Sequence, residues 1–303
     1  MTLKRLLLAV VLLAVVAGVG WAYYPPFRLF TLYAAGRKVI CPLDESLAAA
    51  DHVKRLKNAK DRILAGSKLV QSDPAGYQLW DTPKGRWWIP QGAEYVLPFN
   101  LAEQELDIYG TGVQAVHEGD VVLDCGGNIG VFTRKALDHG ASKVIAIEPA
   151  PENLECLRRN FPAEISSGRV VVYAKGVWDK DDVLEMNVDP HNSAADSFVI
   201  QREGSRKIQL SLTTIDKLAA ELSLPRVDYV KMDIEGAEPN ALLGGRETIK
   251  RWKPRMSISA YHQEDHPVRI PAVINDIRND YHMACGPCAE SNGRIRPDIL
   301  YFR

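Results

Sequence analysis

The segment that most constrains the fold of this chain is VVLDCGGNIG, at residues 121–130. A strand-forming run ends at Asp124, and glycine or asparagine then occupies most of the following positions. Glycine lets the backbone approach a bound molecule closely, and the first turn of a helix offers unpaired N–H groups. The segment therefore predicts a strand, a tight turn and a helix that together bind a nucleoside-type ligand.

From residue 120 onward, short apolar stretches alternate with amphipathic ones. This alternation is typical of a parallel sheet covered by helices on both faces, so we expect a doubly wound α/β fold. Residues 181–212 do not follow the alternation and are predicted to form a small hairpin insertion. Helices are expected over residues 129–139, 151–160, 237–250 and about 267–280.

The N-terminus carries a long apolar segment. Two basic residues precede an uncharged, mostly apolar stretch over residues 6–22. This length is at the short end for a helix that crosses a bilayer, and Tyr23 and Tyr24 stand where interfacial anchors usually lie. We interpret residues 1–23 as a transmembrane anchor. A cleaved signal peptide is the alternative, and a buried core helix is a third interpretation.

Residues 24–99 are predicted to form an extension in front of the main domain, which we expect over residues 100–303. The extension begins with a short connector that contains proline. Residues 43–65 then have the apolar spacing of a helix, and residues 77–90 have the pattern of a β-hairpin. A further helix over about 100–109 is expected to lead into the main domain.

The charge balance argues against a broad nucleic-acid-binding surface. The chain has 37 basic and 38 acidic residues and a formal net charge of −1, whereas such a surface needs a basic field. Its five cysteines, an odd number at irregular spacing, do not indicate a disulfide framework and are compatible with a reducing compartment. The motif CGPC at residues 285–288 is a candidate redox or metal motif. Loop sequence follows it, so we interpret it as a turn before the last strand.

The residues around the glycine-rich turn distinguish between candidate cofactors. Asn128 replaces the second glycine of the dinucleotide pattern G-x-G-x-x-G, although asparagine tolerates the same left-handed backbone. Glu148, at the end of the next strand, can accept hydrogen bonds from both hydroxyls of a ribose. Asp124 would repel the pyrophosphate of a nicotinamide cofactor but can accept from the ammonium end of an amino acid. These residues favour S-adenosylmethionine.

Residues 119–149 resemble motif I and the following acidic strand of class I S-adenosylmethionine-dependent methyltransferases. The D-x-G-x-N-x-G form of the turn is similar to that of the FkbM family. LTTIDKL at residues 212–218, followed by VDYVKMDIEGAE at residues 227–238, resembles the most specific signature of that family. The resemblance covers about residues 95–265. It implies a Rossmann-like, seven-stranded, mostly parallel sheet with the cofactor lying across the carboxyl ends of the strands.

The resemblance also implies positions for the parts of the cofactor. Glu148 would hold the ribose. Gly176 and Val177, after the third strand, would flank the adenine together with Trp178, for which plain core packing is the alternative. The methionine part would be surrounded by Asp124, Gly126, Gly127, Asn128 and Gly130.

The chemistry is expected at the carboxyl end of the fourth strand, where a parallel sheet places its ligands. Methyl transfer to a hydroxyl requires an aligned acceptor and the removal of a proton. His262 ends the fifth strand and is the candidate general base, unless it is a surface histidine bonded to Asp265. We assign Asp233 and Glu235 to catalysis with it, and Glu238 to a substrate contact. The alternative is that these acids cap the following helix.

Two weaker signals complete the predicted site. Ser197, in the insertion, is a second expected substrate contact, because the family often carries a polar loop there. The segment HQEDH at residues 262–266 offers two histidines at helical spacing, but it lacks the glutamate placement of zinc protease motifs. No metal is therefore predicted.

The predicted function is S-adenosylmethionine-dependent methylation of a hydroxyl on a glycan, a glycolipid or another small molecule. A nicotinamide oxidoreductase is disfavoured by the glycine pattern, whereas a membrane-anchored pseudo-methyltransferase that serves as a binding or assembly module stays open. The anchor favours a lipid-linked or glycan acceptor, because tethering raises the local concentration of membrane-borne molecules. Since S-adenosylmethionine is made in the cytosol, we expect the domain to face the cytosol; export after signal cleavage is the alternative. The oligomeric state is left open.

Overall fold

The computed structural model describes residues 3–36, 40–188, 206–291 and 294–303. A strand over Lys68–Asp73 pairs with the first strand of the predicted hairpin, so the extension has one strand more than expected. The helix expected over about 100–109 begins earlier in the chain. The elements up to residue 114 are α1 (Leu3–Tyr23), α2 (Pro25–Ala34), α3 (Leu43–Ala65), β1 (Lys68–Asp73), β2 (Tyr77–Thr82), β3 (Gly85–Pro90), α4 (Val96–Glu105) and a 3₁₀ turn (Gly112–Gln114).

The remaining elements form the α/β domain, in which strands and helices alternate as the sequence pattern predicts. In chain order they are β4 (Val121–Cys125), α5 (Val131–Asp138), β5 (Lys143–Ile147), α6 (Pro151–Asn160), α7 (Pro162–Ser166), β6 (Val170–Tyr173), β7 (Gly176–Val177), β8 (Asp182–Val188), β9 (Arg206–Thr213), α8 (Ile215–Glu221), β10 (Tyr229–Met232), α9 (Glu238–Leu243), α10 (Arg246–Trp252), β11 (Arg255–Ser259), α11 (His266–Ile277), β12 (Met283–Cys285), β13 (Cys288–Ser291), β14 (Arg294–Pro297) and β15 (Ile299–Phe302).

A seven-stranded sheet lies at the centre of this domain, with the strand order β12-β15-β11-β10-β4-β5-β6. The five strands from β11 to β6 pair in parallel, and β15 pairs antiparallel with both β11 and β12. The predicted seven-stranded, mostly parallel sheet is confirmed. Chain connections run in opposite directions from β4 and β10, and ligands of α/β sheets bind at such a point.

Apolar layers cover both faces of the sheet. Phe132 of α5 and Leu157 of α6 are buried in one layer, and Leu242 of α9 and Ile270 of α11 are buried in the other. Strands with both faces covered need side chains that are apolar in both directions. This requirement explains the continuous apolar runs of β4 and β5, and it confirms the doubly wound arrangement.

The helices predicted within the α/β domain agree with the structure except at one place. α6 has the bounds predicted over residues 151–160, as α3 of the extension has those predicted over residues 43–65. The helix predicted over residues 237–250 is divided into α9 and α10. A β-carbon on Gly244 would lie 1.9 Å from the backbone oxygen of Trp178, so the close approach of two backbones requires glycine at this break.

One side-chain amide links the extension to two parts of the α/β domain. Asn160, at the end of α6, accepts from the backbone N–H of Trp88 at 2.8 Å and donates to the backbone oxygen of Trp88 at 3.1 Å. The same amide nitrogen donates to the backbone oxygen of Ile129 at 3.0 Å. One residue therefore connects β3, α6 and the loop that follows β4.

The predicted insertion at residues 181–212 is described in part. β8 and β9 pair antiparallel, as expected for a hairpin, and β9 also pairs in parallel with β7. Residues 189–205 lie outside the described residues. Ser197, the expected substrate contact in the insertion, is one of them.

A disulfide joins the N-terminal extension to the C-terminal hairpin. Cys41 is bonded to Cys288, which lies 247 positions away in the sequence. The cysteine count and spacing did not indicate this bridge. The interpretation of CGPC as a turn is incomplete, because its second cysteine is cross-linked. Cys285 is a free thiol that packs beside this bridge. No local spacing could have revealed a partner so distant in the chain.

Of the described helices, α1 alone is long and apolar enough to cross a membrane. None of its residues is buried, which distinguishes it from the core helix of a soluble domain. A signal sequence has the same length and composition, so the membrane anchor stays a prediction.

Candidate active site

The loop after β4, residues 126–130, which we call the glycine turn, packs directly against neighbouring backbone and side chains. A β-carbon on Gly126, whose φ is +81°, would lie 1.9 Å from the backbone oxygen of Asp233. A β-carbon on Gly130, whose φ is +96°, would lie 2.2 Å from the ring of Phe161. Both positions therefore require glycine for the packing of the protein against itself.

The first three N–H groups of the glycine turn are bonded within the protein. Gly126 and Gly127 both donate to the backbone oxygen of Ile147, at 3.0 and 2.9 Å. Asn128 has a left-handed φ of +46°, which confirms the prediction for this residue, and its N–H donates to Glu148 Oε2 at 2.8 Å. Because these donors are engaged with the sheet, the turn is poorly suited to bind an anionic group such as pyrophosphate.

Glu148, at the end of β5, is held beside the glycine turn by backbone groups. Its second carboxylate oxygen, Oε1, accepts from the N–H of Ala150 at 2.9 Å. The residue is 5% exposed, and burial raises the pKa of its carboxyl to about 7 in spite of the hydrogen bonds that it accepts. Glu148 stands directly behind Asn128, with its carboxylate fixed in position.

Asp124 is completely buried beneath the glycine turn. Its Oδ2 accepts from the hydroxyl of Thr133 at 2.7 Å, and its Oδ1 lies 3.2 Å from Lys231 Nζ. Lys231 also donates to the backbone oxygen of Gly126 at 2.7 Å. Asp124 therefore fixes the glycine turn through Thr133 and Lys231. This structural role differs from the predicted contact with the methionine part of a cofactor.

A cavity of about 450 Å³ lies at the carboxyl ends of β4 and β10. This volume is within the range of small-molecule sites. Residues 126–128 of the glycine turn form one part of its wall. Another part is the acid cluster, which we define as Asp233, Glu235 and His262. Aromatic rings border the remaining parts, and they belong to Tyr95, Phe99, Tyr109, Phe132 and Tyr261.

His262 is at the centre of the acid cluster. Its Nε2 atom lies 3.3 Å from Asp233 Oδ1 and 3.3 Å from Glu235 Oε1. These residues meet because they follow β10 and β11, which are adjacent parallel strands. The His262 side chain is 2% exposed, so the alternative of a surface histidine bonded to Asp265 is wrong. Burial raises the pKa of Asp233, but the charges of Lys231 and His262 outweigh burial and hold that pKa below its usual value.

Glu238 holds His262 from behind. Its Oε1 lies 2.9 Å from His262 Nδ1 and accepts from the N–H of Ile234 at 3.0 Å, while its Oε2 lies 3.4 Å from His266 Nδ1. Glu238 is fully buried, so it lies behind the site rather than at the predicted substrate contact. Burial lowers the pKa of the His262 imidazole, but the adjacent carboxylates, above all Glu238, raise it well above the ordinary value.

The residues predicted to flank an adenine lie away from the cavity. Gly176 and Val177 form β7, where they pair with Leu212 and Thr213 of β9. Val177 is buried in the apolar layer on that face of the sheet. The cavity wall contains residues 126–128 of the glycine turn and the acid cluster, but it includes neither of these residues. Glu148 does not line the cavity either, and it contacts the wall through its hydrogen bond with the N–H of Asn128.

The model of the Methyltransferase FkbM domain matches residues 124–282 of this chain. This region contains the glycine turn, Glu148 and the whole acid cluster, and it is more than half of the 303 residues. The chain belongs to the FkbM methyltransferase family. It is therefore a methyltransferase, and the resemblance seen in the sequence is confirmed.

Relatives of this FkbM methyltransferase match parts of its length. Hexuronic acid methyltransferase AglP of Haloferax volcanii is 28% identical over 198 residues, which cover 63% of this chain and 76% of that protein. The 31-O-demethyl-FK506 methyltransferase FkbM of Streptomyces tacrolimicus is 30% identical over 156 residues, which cover 42% of this chain and 59% of that protein. The solved structure of methyltransferase FkbM from Methylobacillus flagellatus KT has a TM-score of 0.48 at 18% identity, and the match covers 84% of this chain and 60% of that one.

Two residues on the cavity wall of this FkbM methyltransferase were not predicted from the sequence. Tyr109 donates to Asp233 Oδ2 at 2.7 Å, across 124 positions of the chain, so no local pattern could have shown the contact. Glu103 of α4 also lines the cavity, and burial together with the charge of Asp233 raises its pKa well above the usual value. Asn100 lines the same cavity and precedes Glu103 by three positions. Residues at this spacing lie on one face of a helix, and this was the one feature of the sequence that could have indicated Glu103.

Proposed function

We propose that this FkbM methyltransferase transfers a methyl group from S-adenosylmethionine to a hydroxyl of a glycan, a glycolipid or another small molecule. The observation that carries the proposal is a single cavity bordered by both the glycine turn and the acid cluster. The glycine turn has the sequence pattern of a cofactor segment, and the acid cluster offers groups that orient and deprotonate a hydroxyl. Holding two reactants in one cavity is itself a large part of catalysis.

The charge of the cavity supports a cationic donor. S-adenosylmethionine, when bound, supplies a methyl group on a positively charged sulfur. Asp233 and Glu235 border the cavity with carboxylates, and the N–H groups of Gly126, Gly127 and Asn128 are engaged elsewhere. A positive ligand is attracted by these carboxylates, whereas a pyrophosphate would meet repulsion and none of these three donors. Glu148, fixed behind Asn128, would accept from the ribose hydroxyls.

The acid cluster supports a hydroxyl acceptor. A hydroxyl that donates to Asp233 or Glu235 is oriented by that hydrogen bond, and its proton can pass to a carboxylate of the cavity wall as the acceptor oxygen reacts. The surrounding carboxylates raise the pKa of His262 and favour its charged form when no cation is bound, so its role in this proton transfer is to position Asp233 and Glu235. This proposal replaces the expectation that the His262 imidazole takes the proton.

The names of the relatives support an oxygen acceptor on a sugar-like molecule. One is a hexuronic acid methyltransferase and the other a 31-O-demethyl-FK506 methyltransferase. We further propose that α1 anchors the enzyme in a membrane and that the acceptor is lipid-linked. Tethering an enzyme beside its acceptor raises the effective concentration of that acceptor without new contacts.

Mass spectrometry of lipid and glycan extracts tests the proposed function. Extracts are incubated with full-length enzyme and methyl-deuterated S-adenosylmethionine, with Glu235→Ala as the inactive variant and Asp265→Asn as the matched control. Asp265 is exposed and follows the acid cluster in sequence without belonging to it. A methyl-sized mass shift is expected with wild type and the control but not with Glu235→Ala. No shift with any protein would favour the binding or assembly module instead.

The side of the membrane needs its own test. We propose a cytosol-facing domain, because the donor is made there, while the Cys41–Cys288 disulfide weighs against it since such bonds persist in oxidising compartments. Protease treatment of right-side-out and inverted vesicles compares the two sides. Digestion in inverted vesicles alone would support the proposal. Digestion in right-side-out vesicles would place the domain outside, where the disulfide is expected to last.

A further inference from the structure

The acid cluster places a nitrogen without a hydrogen bond at the cavity wall. His262 Nε2 is buried and has no hydrogen-bond partner among the described residues. Asp233 Oδ1 and Glu235 Oε1 both lie 3.3 Å from it, and a single ring N–H cannot be directed at both. Unpaired buried polar atoms are rare because they cost free energy, so this arrangement is the one expected when a ligand completes the site.

We propose that the acid cluster binds a divalent cation, Mg²⁺ or Mn²⁺. Its three donor atoms lie within 4.8 Å of one another. Two ligand atoms at right angles around such a cation, with bonds of about 2.1 Å, lie about 3 Å apart, which is close to the two 3.3 Å separations. Two carboxylates match the preference of Mg²⁺ and Mn²⁺ for oxygen, and an imidazole is an accepted ligand of transition metals.

Contacts on the far side of two ligands orient them toward the cation. Glu238 Oε1 lies 2.9 Å from His262 Nδ1 and keeps the proton on that nitrogen, so a cation that displaces the proton of Nε2 meets the Nε2 lone pair at the cavity wall. Tyr109 donates to Asp233 Oδ2 at 2.7 Å, so Oδ1, which accepts a longer bond of 3.4 Å from the Tyr261 hydroxyl, is the oxygen that faces His262 Nε2 and the cation. Such outer contacts are a general property of metal sites, where they fix both the tautomer and the direction of each ligand.

A second group of donor atoms in the same region is less suitable. Glu238, His262 and His266 also lie within 4.8 Å of one another. Their side chains are 0%, 2% and 1% exposed, and His262 is the one member that lines the cavity. A cation held among these three residues could not touch an acceptor. The geometry therefore assigns Glu238 to the outer contacts and Asp233, Glu235 and His262 to the cation.

The role of this cation rests on the proposed methyl transfer. A cation held by three protein atoms keeps open coordination positions, which the oxygens of an acceptor can occupy. An acceptor with two adjacent oxygens, such as a sugar diol, would fill two of them. The cation would lower the pKa of the bound hydroxyl, whose proton passes to a carboxylate of the cavity wall. The oxygen lone pair then forms the new bond to the methyl carbon as the bond between that carbon and the sulfur breaks, and S-adenosylhomocysteine leaves with the electron pair. The acceptor is therefore expected to be a chelating polyol.

Electron paramagnetic resonance with Mn²⁺ tests the site without any measurement of activity. Full-length protein in detergent is treated with a chelator, and Mn²⁺ alone is then added. We expect one bound Mn²⁺ per chain, with a nitrogen coupling from the imidazole. Asp233→Asn and Glu235→Gln are each expected to lower the affinity by about tenfold or more. His262→Gln is expected to remove the nitrogen coupling.

Glu103→Gln is the matched control. Glu103 lines the same cavity but does not belong to the acid cluster, and the substitution replaces its carboxyl group by an amide just as Glu235→Gln does. It is expected to bind Mn²⁺ as wild type does. Wild-type protein that binds no Mn²⁺ below about 1 mM would overturn the proposal. Binding that survives both Asp233→Asn and Glu235→Gln would also overturn it. If one variant fails to fold, the other variant and the nitrogen coupling of wild type decide the question.

A parallel calorimetric titration with S-adenosylhomocysteine separates this inference from the proposed function. Stoichiometric Mn²⁺ binding without S-adenosylhomocysteine binding would support the cation site and contradict the methyl transfer. S-adenosylhomocysteine binding together with full methyl transfer in excess chelator would support the proposed function and contradict the role of the cation.

Discussion

The glycine turn and the acid cluster border the same cavity but are built in opposite ways. In the glycine turn, the N–H groups of Gly126, Gly127 and Asn128 are bonded within the protein. In the acid cluster, His262 Nε2 has no such partner in the part of the chain that the structure describes, and it lies equally far from two carboxylates. The turn is therefore complete without a ligand, whereas the acid cluster is completed by what it binds.

Because of this difference, we expect the turn to be constrained by folding and the acid cluster to be constrained by turnover. Substitutions in the turn are expected to act on folding, because they collide with neighbouring backbone or rings. Substitutions in the acid cluster are expected to act on turnover, because its polar atoms contribute little to packing. Matched pairs of variants test this distinction.

The largest effect is expected for Gly126→Ala. Its new β-carbon would lie 1.9 Å from the backbone oxygen of Asp233, so the ends of β4 and β10 must separate. We expect the free energy of unfolding to fall by at least about 4 kcal/mol. Gly127→Ala is the control, since its β-carbon would meet Ala146 at 3.4 Å, and a loss below about 1 kcal/mol is expected. Urea unfolding of both variants measures the difference, and equal losses would contradict the packing of the turn.

The next effect is expected for Asp233→Asn in the acid cluster. Turnover is expected to fall by at least about 10²-fold, because the carboxylate that orients the acceptor is lost, while thermal stability changes little. Steady-state kinetics with a deuterated methyl donor measures turnover, and Asp265→Asn serves as the control. A comparable loss in the control would mean that the effect does not arise in the acid cluster.

A smaller effect is expected from the titration of Glu148. Burial raises its pKa to about 7, and the ionised carboxylate is the form that accepts from a ribose. The affinity for S-adenosylhomocysteine should therefore increase as the pH rises through 7, by about tenfold between about pH 6 and about pH 8. The unliganded fold should lose stability as the pH rises from about 4.5 to about 7, because over that range the unfolded chain releases the Glu148 proton while the folded chain retains it.

Calorimetry at several pH values measures this dependence. Glu148→Gln cannot titrate, so its affinity should be lower and independent of pH. A wild-type affinity that does not change with pH would contradict the assignment of Glu148 to the ribose.

The smallest effect is expected for Tyr109→Phe, which removes the hydrogen bond to Asp233 Oδ2 and leaves the ring in place. Loss of one such bond corresponds to about 1 kcal/mol, or about fivefold in turnover. Tyr301→Phe is the control, because its hydroxyl donates to the backbone oxygen of Ile108 at 2.6 Å, away from the acid cluster. Equal turnover in the two variants would show that Tyr109 has no positioning role.

The fold could be predicted because its signals are local. Apolar runs of β4 and β5 and the left-handed Asn128 follow from burial and backbone sterics within a few residues. The edge at which Asp233 and His262 meet follows from the topology of parallel strands, so the acid cluster was also predicted in outline.

The remaining features depend on partners that are distant in the sequence. Tyr109 meets Asp233 across 124 positions, and Cys41 meets Cys288 across 247. Glu238 was predicted to contact the substrate because it shares a motif with Asp233. In the structure its side chain is fully buried and does not line the cavity. Motif spacing identifies the edge of a sheet but does not determine which side chain reaches the cavity.

The central claim is that the glycine turn and Glu148 bind the methyl donor, while the acid cluster binds the acceptor. It is tested most directly by titrating S-adenosylhomocysteine into wild type, Asp233→Asn and Glu148→Gln. We expect one site per chain in wild type, nearly unchanged affinity in Asp233→Asn and about tenfold weaker binding in Glu148→Gln. Loss of binding in Asp233→Asn with full binding in Glu148→Gln would contradict the assignment of donor and acceptor to the two walls.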